Sequence, residues 1–245
     1  PPHLPTVPPM TAVYLYGVVG YPPRFVPSVL GLGDSPVFLV GGPDLAAVAS
    51  YSPLDLWPID EAHVRRHEAV VEAIMRDRPV LPMRYNSLLP DKKAVTRLLR
   101  QRSRALVAAL GRVGGSVEMG LRVLAPAPGA GAVPGRPLPL RGRGPGTSYL
   151  RRRMEEERRG ARERKRGQQL IGELGALLEP LVVESSLRPF LTERLTLSAS
   201  YLVAHDRVAA FRERVGVVQR RFSAFGFLLT GPWPPYHFAN GSPDG

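Results

Sequence analysis

Hydrophobic and polar positions fall into blocks of two different periods along the chain. "AVYLYGVVG" (residues 12–20) is apolar nearly throughout and rich in β-branched and aromatic residues, the pattern of a buried first strand. "PVFLVGG" and "LAAVASYS" predict a second and a third strand, with Gly41, Gly42 and Pro43 in the turn, making a hairpin beside the first. From Asp60 the period lengthens: Val64, His67, Val71, Ile74 and Arg78 recur at 3,4,3,4 spacing, Val70 and Met75 widen the face, and Pro79 ends the helix. "VLPMRYNSLLP" is short and extended. Asp91 then suits a helix N-cap, followed by a stripe of Val95, Leu98, Leu99, Arg102, Leu106, Ala109 and Leu110 that runs to near Gly111. "GGSVEMGLRVLAP" closes this unit as a strand, with Val117, Met119, Leu121 and Val123 alternating.

Residues 125–146 contain six Pro and six Gly in twenty-two positions, the composition of a linker or loop. A long helix is expected after them, capped by Thr147 or Ser148. Its first half is charged nearly all round, and Leu170, Leu174, Leu177 and Leu178 supply an apolar face only later, so the first half is expected to project into solvent. "RLTLSASYLVA" alternates as a strand. Asp206 is placed to cap a helix whose Val208, Phe211, Val215, Val218 and Phe222 keep 3,4,3,4 spacing, and "AFGFLLTG" is a closing strand. The pattern predicts an α+β protein of two domains, each an antiparallel sheet covered by helices and related to the ferredoxin-like fold, with a long charged helix in the second half. The expected divisions are a disordered leader (1–11), an N-terminal domain (12–124), the linker (125–146), a C-terminal domain (147–238) and a disordered tail (239–245). Met10 suits a natural start.

"TGPWPPYHF" (residues 230–238) stands apart. Gly231, Pro232, Pro234 and Pro235 exclude a regular helix and a central strand. Trp233, Tyr236 and Phe238 either fold back into a core or form a recognition surface. The favoured expectation is a tail running back toward the first domain, with Trp233 and Tyr236 locking the two halves together.

Composition narrows the chemistry. In 245 residues, 44% of them hydrophobic, there is no uninterrupted apolar run near 18 residues, which predicts a soluble globular protein without a membrane-spanning helix. "PPHLPTVPPM" does not read as a secretion signal. The absence of cysteine excludes disulfides, thiolate zinc sites and a cysteine nucleophile, and suits a cytoplasmic protein. The net charge is +12, and residues 141–167 hold eleven Arg or Lys against four Glu, a balance of +7 in one segment. Such a run engages an acidic protein or a phosphate backbone. Pairs such as Arg151 with Glu155 and Glu155 with Arg159 also suit a plain solvated helix. No interleaved aromatic platform favours nucleic acid.

His63 and His67 sit four apart, spacing that can hold a metal, but the zinc-peptidase pattern fails because Val71 occupies the place of the second histidine that it requires. They are expected to be ordinary helix-surface or buried-edge histidines. "GGPDLAA" and "GRVGGS" match no phosphate-binding fingerprint, and Ser185 and Ser186 lack a nucleophile elbow. No enzyme, cofactor or metal is expected.

Taken together, "YLYGVVG", "LAAVASYSPLDLW", "HEAVVEAIMRDRPVLPMRYNSLL", "GGSVEMGLRV", "GTSYLRRR", "ASYLVAHDRVAAF" and "GFLLTGPWPPYHF" resemble the gas vesicle accessory protein F/L family (GvpF/GvpL) over residues 12–238. Tyr85, Asn86 and Ser87 stand where Phe-Gly-Thr is usual in it, and His237 where Asn is common. The resemblance implies a non-enzymatic protein of gas vesicle assembly. It implies binding to the major shell protein, with other accessory proteins as further partners, and a place as a minor shell component in the cytoplasm. Candidate contact or interdomain residues are Arg84 and Tyr85; Arg151, Arg152, Arg153, Arg158 and Arg159; and Trp233, Tyr236 and Phe238. The alternative is a nucleic-acid-binding protein acting through residues 141–167.

Overall fold

The computed structural model describes residues 11–20, 28–126, 145–190, 192 and 194–239. Within the long helix, the side chains before Arg153 and those of Glu156 and Arg159 fall outside that description. The described chain divides into two units, one reaching to Glu118 and resuming at Pro232, the other running from Met119 to Gly231.

In the first unit β1 (Thr11–Gly20) is buried except at its two ends. β2 (Val37–Gly41) and β3 (Leu45–Pro53) form the expected hairpin, and β3 pairs antiparallel with β1 from Thr11 opposite Pro53 to Gly20 opposite Leu45. Two strands this apolar need cover on more than one side, and helices supply it. α1 (Glu61–Met75) begins where the Asp60 carboxylate accepts the His63 N–H at 3.0 Å, and it buries His67, Val70, Val71 and Ile74. The short β4 (Leu81–Pro82) and β5 (Leu88–Leu89) both pair with β1. Asp91 caps α2 (Lys92–Gln101) through the Ala94 N–H, but the stripe read as one helix is two: the backbone leaves helical geometry at Arg102 (φ −106°, ψ 10°) and α3 (Ser103–Val113) follows. The apolar stripe continues across the break, so periodicity passes over it. The core gathers Tyr14, Tyr16, Leu32, Val48, Val70 and Ile74.

β6 (Ser116–Leu124), expected to close the first sheet, lies in the second, whose order is β7-β8-β6-β9. Alternation identifies a strand and its buried face but says nothing of its neighbour. α4 (Pro145–Leu178) starts ahead of Thr147 and Ser148, because proline at a first helical position loses no hydrogen bond and is preset in φ. β7 (Val182–Pro189) was not foreseen; it is a half-exposed edge strand whose middle reads Glu-Ser-Ser. It pairs antiparallel with β8 (Leu195–Ala204). A 3-10 turn at His205–Arg207 absorbs Asp206, so α5 (Val208–Arg221) starts without a side-chain cap. β9 (Gly226–Trp233) is the other edge, where Pro232 is tolerated. The order β6-α4-β7-β8-α5-β9 is the β-α-β-β-α-β pattern of ferredoxin-like folds. Both sheets are antiparallel and covered by helices, an α+β architecture.

In α4 burial begins at Gly167 and continues at Leu170, Leu174 and Leu178, while the described side chains from Arg153 to Arg166 are exposed or half-exposed. A methyl group on Gly167 would stand 2.9 Å from Thr196 Cγ2 and 3.2 Å from Phe190 Cε1, so this close approach of helix to strand requires glycine. After Pro234 and Pro235 the chain makes one helical turn, α6 (Tyr236–Ala239), where a break had been expected. It is held in the first unit by Arg112 Nη2 donating to Phe238 O at 2.9 Å and by the His237 N–H donating to Glu118 Oε2 at 2.8 Å. Among the described residues no helix is long and apolar enough to cross a membrane.

Candidate functional site

The helical period of α1 turns His67 inward beside the tyrosines of β1. Its Nε2–H donates to Met83 O at 3.1 Å, which leaves Nδ1 to accept from the Tyr14 hydroxyl at 3.0 Å. Tyr14 Oη in turn accepts the Asn86 N–H at 2.9 Å, so one unbroken relay links α1, β1 and the backbone of residues 83–86. Burial pushes His67 down to about 4 and raises the Tyr14 phenol far above its ordinary range. His67 is therefore neutral, with both ring nitrogens engaged. His63 is spoken for as well, with Nδ1 2.7 Å from Asp60 Oδ2. The i,i+4 pair does not converge, and among the described residues no group of three or more His, Asp or Glu is placed to hold a metal ion. Beside the relay, Tyr16 Oη accepts the Leu32 N–H at 2.8 Å and shares a 2.9 Å hydrogen bond with Ser50 Oγ. A methyl group at Gly31 would collide with that hydroxyl.

The relay fixes residues 83–87, and these fix an exposed loop. Tyr85 Oη donates to Pro58 O at 2.8 Å. Asn86 takes hold of Trp57 at both ends of its backbone: the Trp57 N–H donates to Asn86 Oδ1 at 3.0 Å and Asn86 Nδ2 donates to Trp57 O at 2.9 Å. The Trp57 indole N–H donates to Ser52 Oγ at 2.8 Å. Asn86 has φ 63°, a left-handed conformation that glycine and, next to it, asparagine accept. Tyr85 and Asn86 thus supply three side-chain hydrogen bonds to the Trp57–Pro58 segment. Held this way, the loop displays Leu54, Leu56 (69% exposed) and Ile59 (86% exposed). Sequence analysis missed these three. "SPLDLWPID" has apolar residues without period between prolines, and that composition was the one available signal.

The other candidates divide. Tyr85 and Tyr236 come together at His67, their ring centroids 5.8 and 6.3 Å from its own. Arg84 is exposed, Phe238 is buried, and Trp233 is 43% exposed. Arg153 Nε lies 3.6 Å from Glu157 Oε1 and Arg158 is exposed, whereas the side chains of Arg151, Arg152 and Arg159 lie outside the described residues. Tyr236 Oη is buried without a hydrogen-bond partner among the described residues, and burial, then the Glu68 and Glu72 carboxylates, raise its pKa. Tyr236→Phe should therefore leave stability unchanged or raise it by up to about 1 kcal/mol, seen as a melting point equal to or above wild type. A clear fall would mean that the hydroxyl has a partner.

The model of one family, gas vesicle synthesis protein GvpL/GvpF, matches residues 12–240. The chain is 26% identical over 236 residues to gas vesicle protein F2 of Halobacterium salinarum, covering 93% of this chain and 92% of that one. It is 30% identical over 230 residues to gas vesicle protein L of Streptomyces sp. (strain CB03234), covering 85% of each. The fold matches the crystal structure of the gas vesicle protein GvpF from Anabaena sp. PCC7120 with a TM-score of 0.74 at 19% identity, covering 95% of this chain and 97% of that one. For GvpF from Microcystis aeruginosa the TM-score is 0.72 at 18% identity, covering 94% and 99%.

Proposed function

This chain belongs to the gas vesicle synthesis protein GvpL/GvpF family, and on that premise we propose that it is a non-catalytic assembly factor, cytoplasmic and vesicle-associated, that binds the major shell protein through the Leu54–Ile59 loop. The observation carrying this is the exposure of Leu54, Leu56 and Ile59 on a loop that Tyr85 and Asn86 hold rigid. A shell subunit with an apolar face aggregates unless that face is covered reversibly before it joins the growing shell. Apolar side chains on a pre-ordered loop cover such a face without a large ordering cost. The exposed Trp233 is a second apolar contact, and the charged half of α4 steers acidic accessory proteins toward the complex. Family membership gives the nucleic-acid alternative no support.

Leu56→Ser with Ile59→Ser is the direct test. Both residues face solvent, so melting should shift little, while capture of purified major shell protein should fall at least about tenfold, as expected for removal of central apolar contacts. Undiminished capture would overturn the assignment of the loop.

A further inference from the structure

We propose that the outer face of α2 is a second docking surface, one that takes an acidic amphipathic helix of a partner protein. Residues 92–104 carry Lys92, Lys93, Arg97, Arg100, Arg102 and Arg104 and no carboxylate. The adjoining Asp91 is committed to the cap, accepting the Ala94 N–H at 2.6 Å. Among the described residues none of these six cations pairs with a carboxylate, in contrast to α1, where Arg65 meets Glu61 and Arg66 meets Asp34. A concentration of unpaired charge raises the free energy of the isolated fold and is relieved by an anionic partner.

The shape of the face selects the partner. Lys92, Lys93, Thr96, Arg97, Arg100 and Gln101 line an open depression of about 570 Å³. Val95 and Leu99 are buried beneath it, so α2 is seated and its cations are held in register. Lys93, Arg97 and Arg100 follow i, i+4, i+7 spacing along one side, a row of about 10 Å at 1.5 Å per residue. Carboxylates at the same spacing on a second helix match that row. At one end Lys92 Nζ lies 4.2 Å from the Phe38 ring centroid and 5.1 Å from that of the exposed Tyr51. This border of aromatic carbon suits the apolar stripe of the same partner helix. A single nucleic-acid strand fits less well, because base stacking needs open ring faces and Lys92 already caps both rings.

Shell-protein capture is assigned to the loop, so this surface stands or falls separately. The probes for the intact chain are a fluorescein-labelled helical peptide with Glu at i, i+4 and i+7 and Leu on the adjoining stripe, its Glu-to-Gln counterpart, and a labelled oligonucleotide. By anisotropy the Glu peptide should bind at least about tenfold more tightly than the Gln peptide and weaken as salt rises. Arg97→Glu with Arg100→Glu should lose at least about tenfold for the Glu peptide, whereas Arg188→Glu with Arg220→Glu, both exposed and outside α2 and α4, should change binding by no more than about twofold. Should the α2 charge reversal lower the melting point, Arg97→Gln with Arg100→Gln must reproduce the loss in a chain that melts normally. Equal binding of the two peptides, indifference to the α2 variants, or tighter oligonucleotide binding lost with the same variants would each overturn the proposal.

Discussion

Acidification from pH 6.5 to 4 should cost about 3 kcal/mol of stability through His67 alone. Unfolded, this imidazole takes up its proton near 6.5; folded, burial holds protonation off until about 4. Above 6.5 neither state binds the proton, and His67 adds no pH dependence. Between 6.5 and 4 the unfolded chain binds more protons, so stability falls as pH falls, by about 1.4 kcal/mol per pH unit at most. Below 4 both states are protonated and the loss is complete. The charged ring would also lack an acceptor at Nδ1, where Tyr14 now donates. Glu68 works the other way. Its pKa is raised, by burial and then by Glu72, so its contribution improves as pH falls and flattens the total slope. The comparison is therefore with His67→Gln, whose amide has both a donor and an acceptor but does not titrate. Trp57 lies in the first unit, and in a Trp233→Phe background its fluorescence in denaturant titrations follows that unit. Wild type should lose stability relative to His67→Gln as pH drops through the window. Parallel curves would show that His67 is accessible to protons in the fold.

That histidine shows where local sequence stops being informative. Its place in the 3,4,3,4 stripe of α1 put it on the apolar face, as local pattern foretold β1, the β2–β3 hairpin, α5 and the cap at Asp91. These depend on residues a few positions apart. What surrounds the ring depends on Tyr14, Tyr85 and Tyr236, distant in the chain, and no spacing rule brings them together. The same limit explains β6: Val117, Met119, Leu121 and Val123 declared a strand, while its neighbours β8 and β9 lie far downstream. β7 failed for another reason: its burial alternates, but the half-buried positions include Glu184 and Ser186 while Val183 and Leu187 are exposed, so apolar residues do not mark the inner face. For the candidate site, the family resemblance pointed at Arg84 and Tyr85. The structure moves the emphasis to what Tyr85 and Asn86 hold, because a hydrogen-bonded loop with exposed leucine and isoleucine has no periodic signature.

Asn86→Ala should be the most damaging single change on the exposed side of that relay. Alanine at φ 63° incurs about 1–2 kcal/mol of backbone strain, and loss of the two amide hydrogen bonds to Trp57 adds about 1 kcal/mol each, for a total of about 3–4 kcal/mol. Asn86→Gly removes the same hydrogen bonds but not the favourable backbone, so its cost should stay near 2 kcal/mol, offset in neither case by new contacts. The backbone N–H of residue 86 still donates to Tyr14 in both variants, and the His67 relay should survive. The damage should therefore be local. Hydrogen exchange at the Trp57 amide, which now donates to Asn86 Oδ1, should accelerate in both variants, while amides in β1 and β3 exchange as before in the glycine form. If the loop acts as proposed, Asn86→Gly also separates order from chemistry: Leu54, Leu56 and Ile59 remain, but capture of shell protein should weaken because the loop must now be ordered on binding. Equal melting points for the alanine and glycine variants would sink the strain argument. Unchanged exchange at Trp57 would show that the loop is held by Tyr85 and the Trp57 indole without help from Asn86.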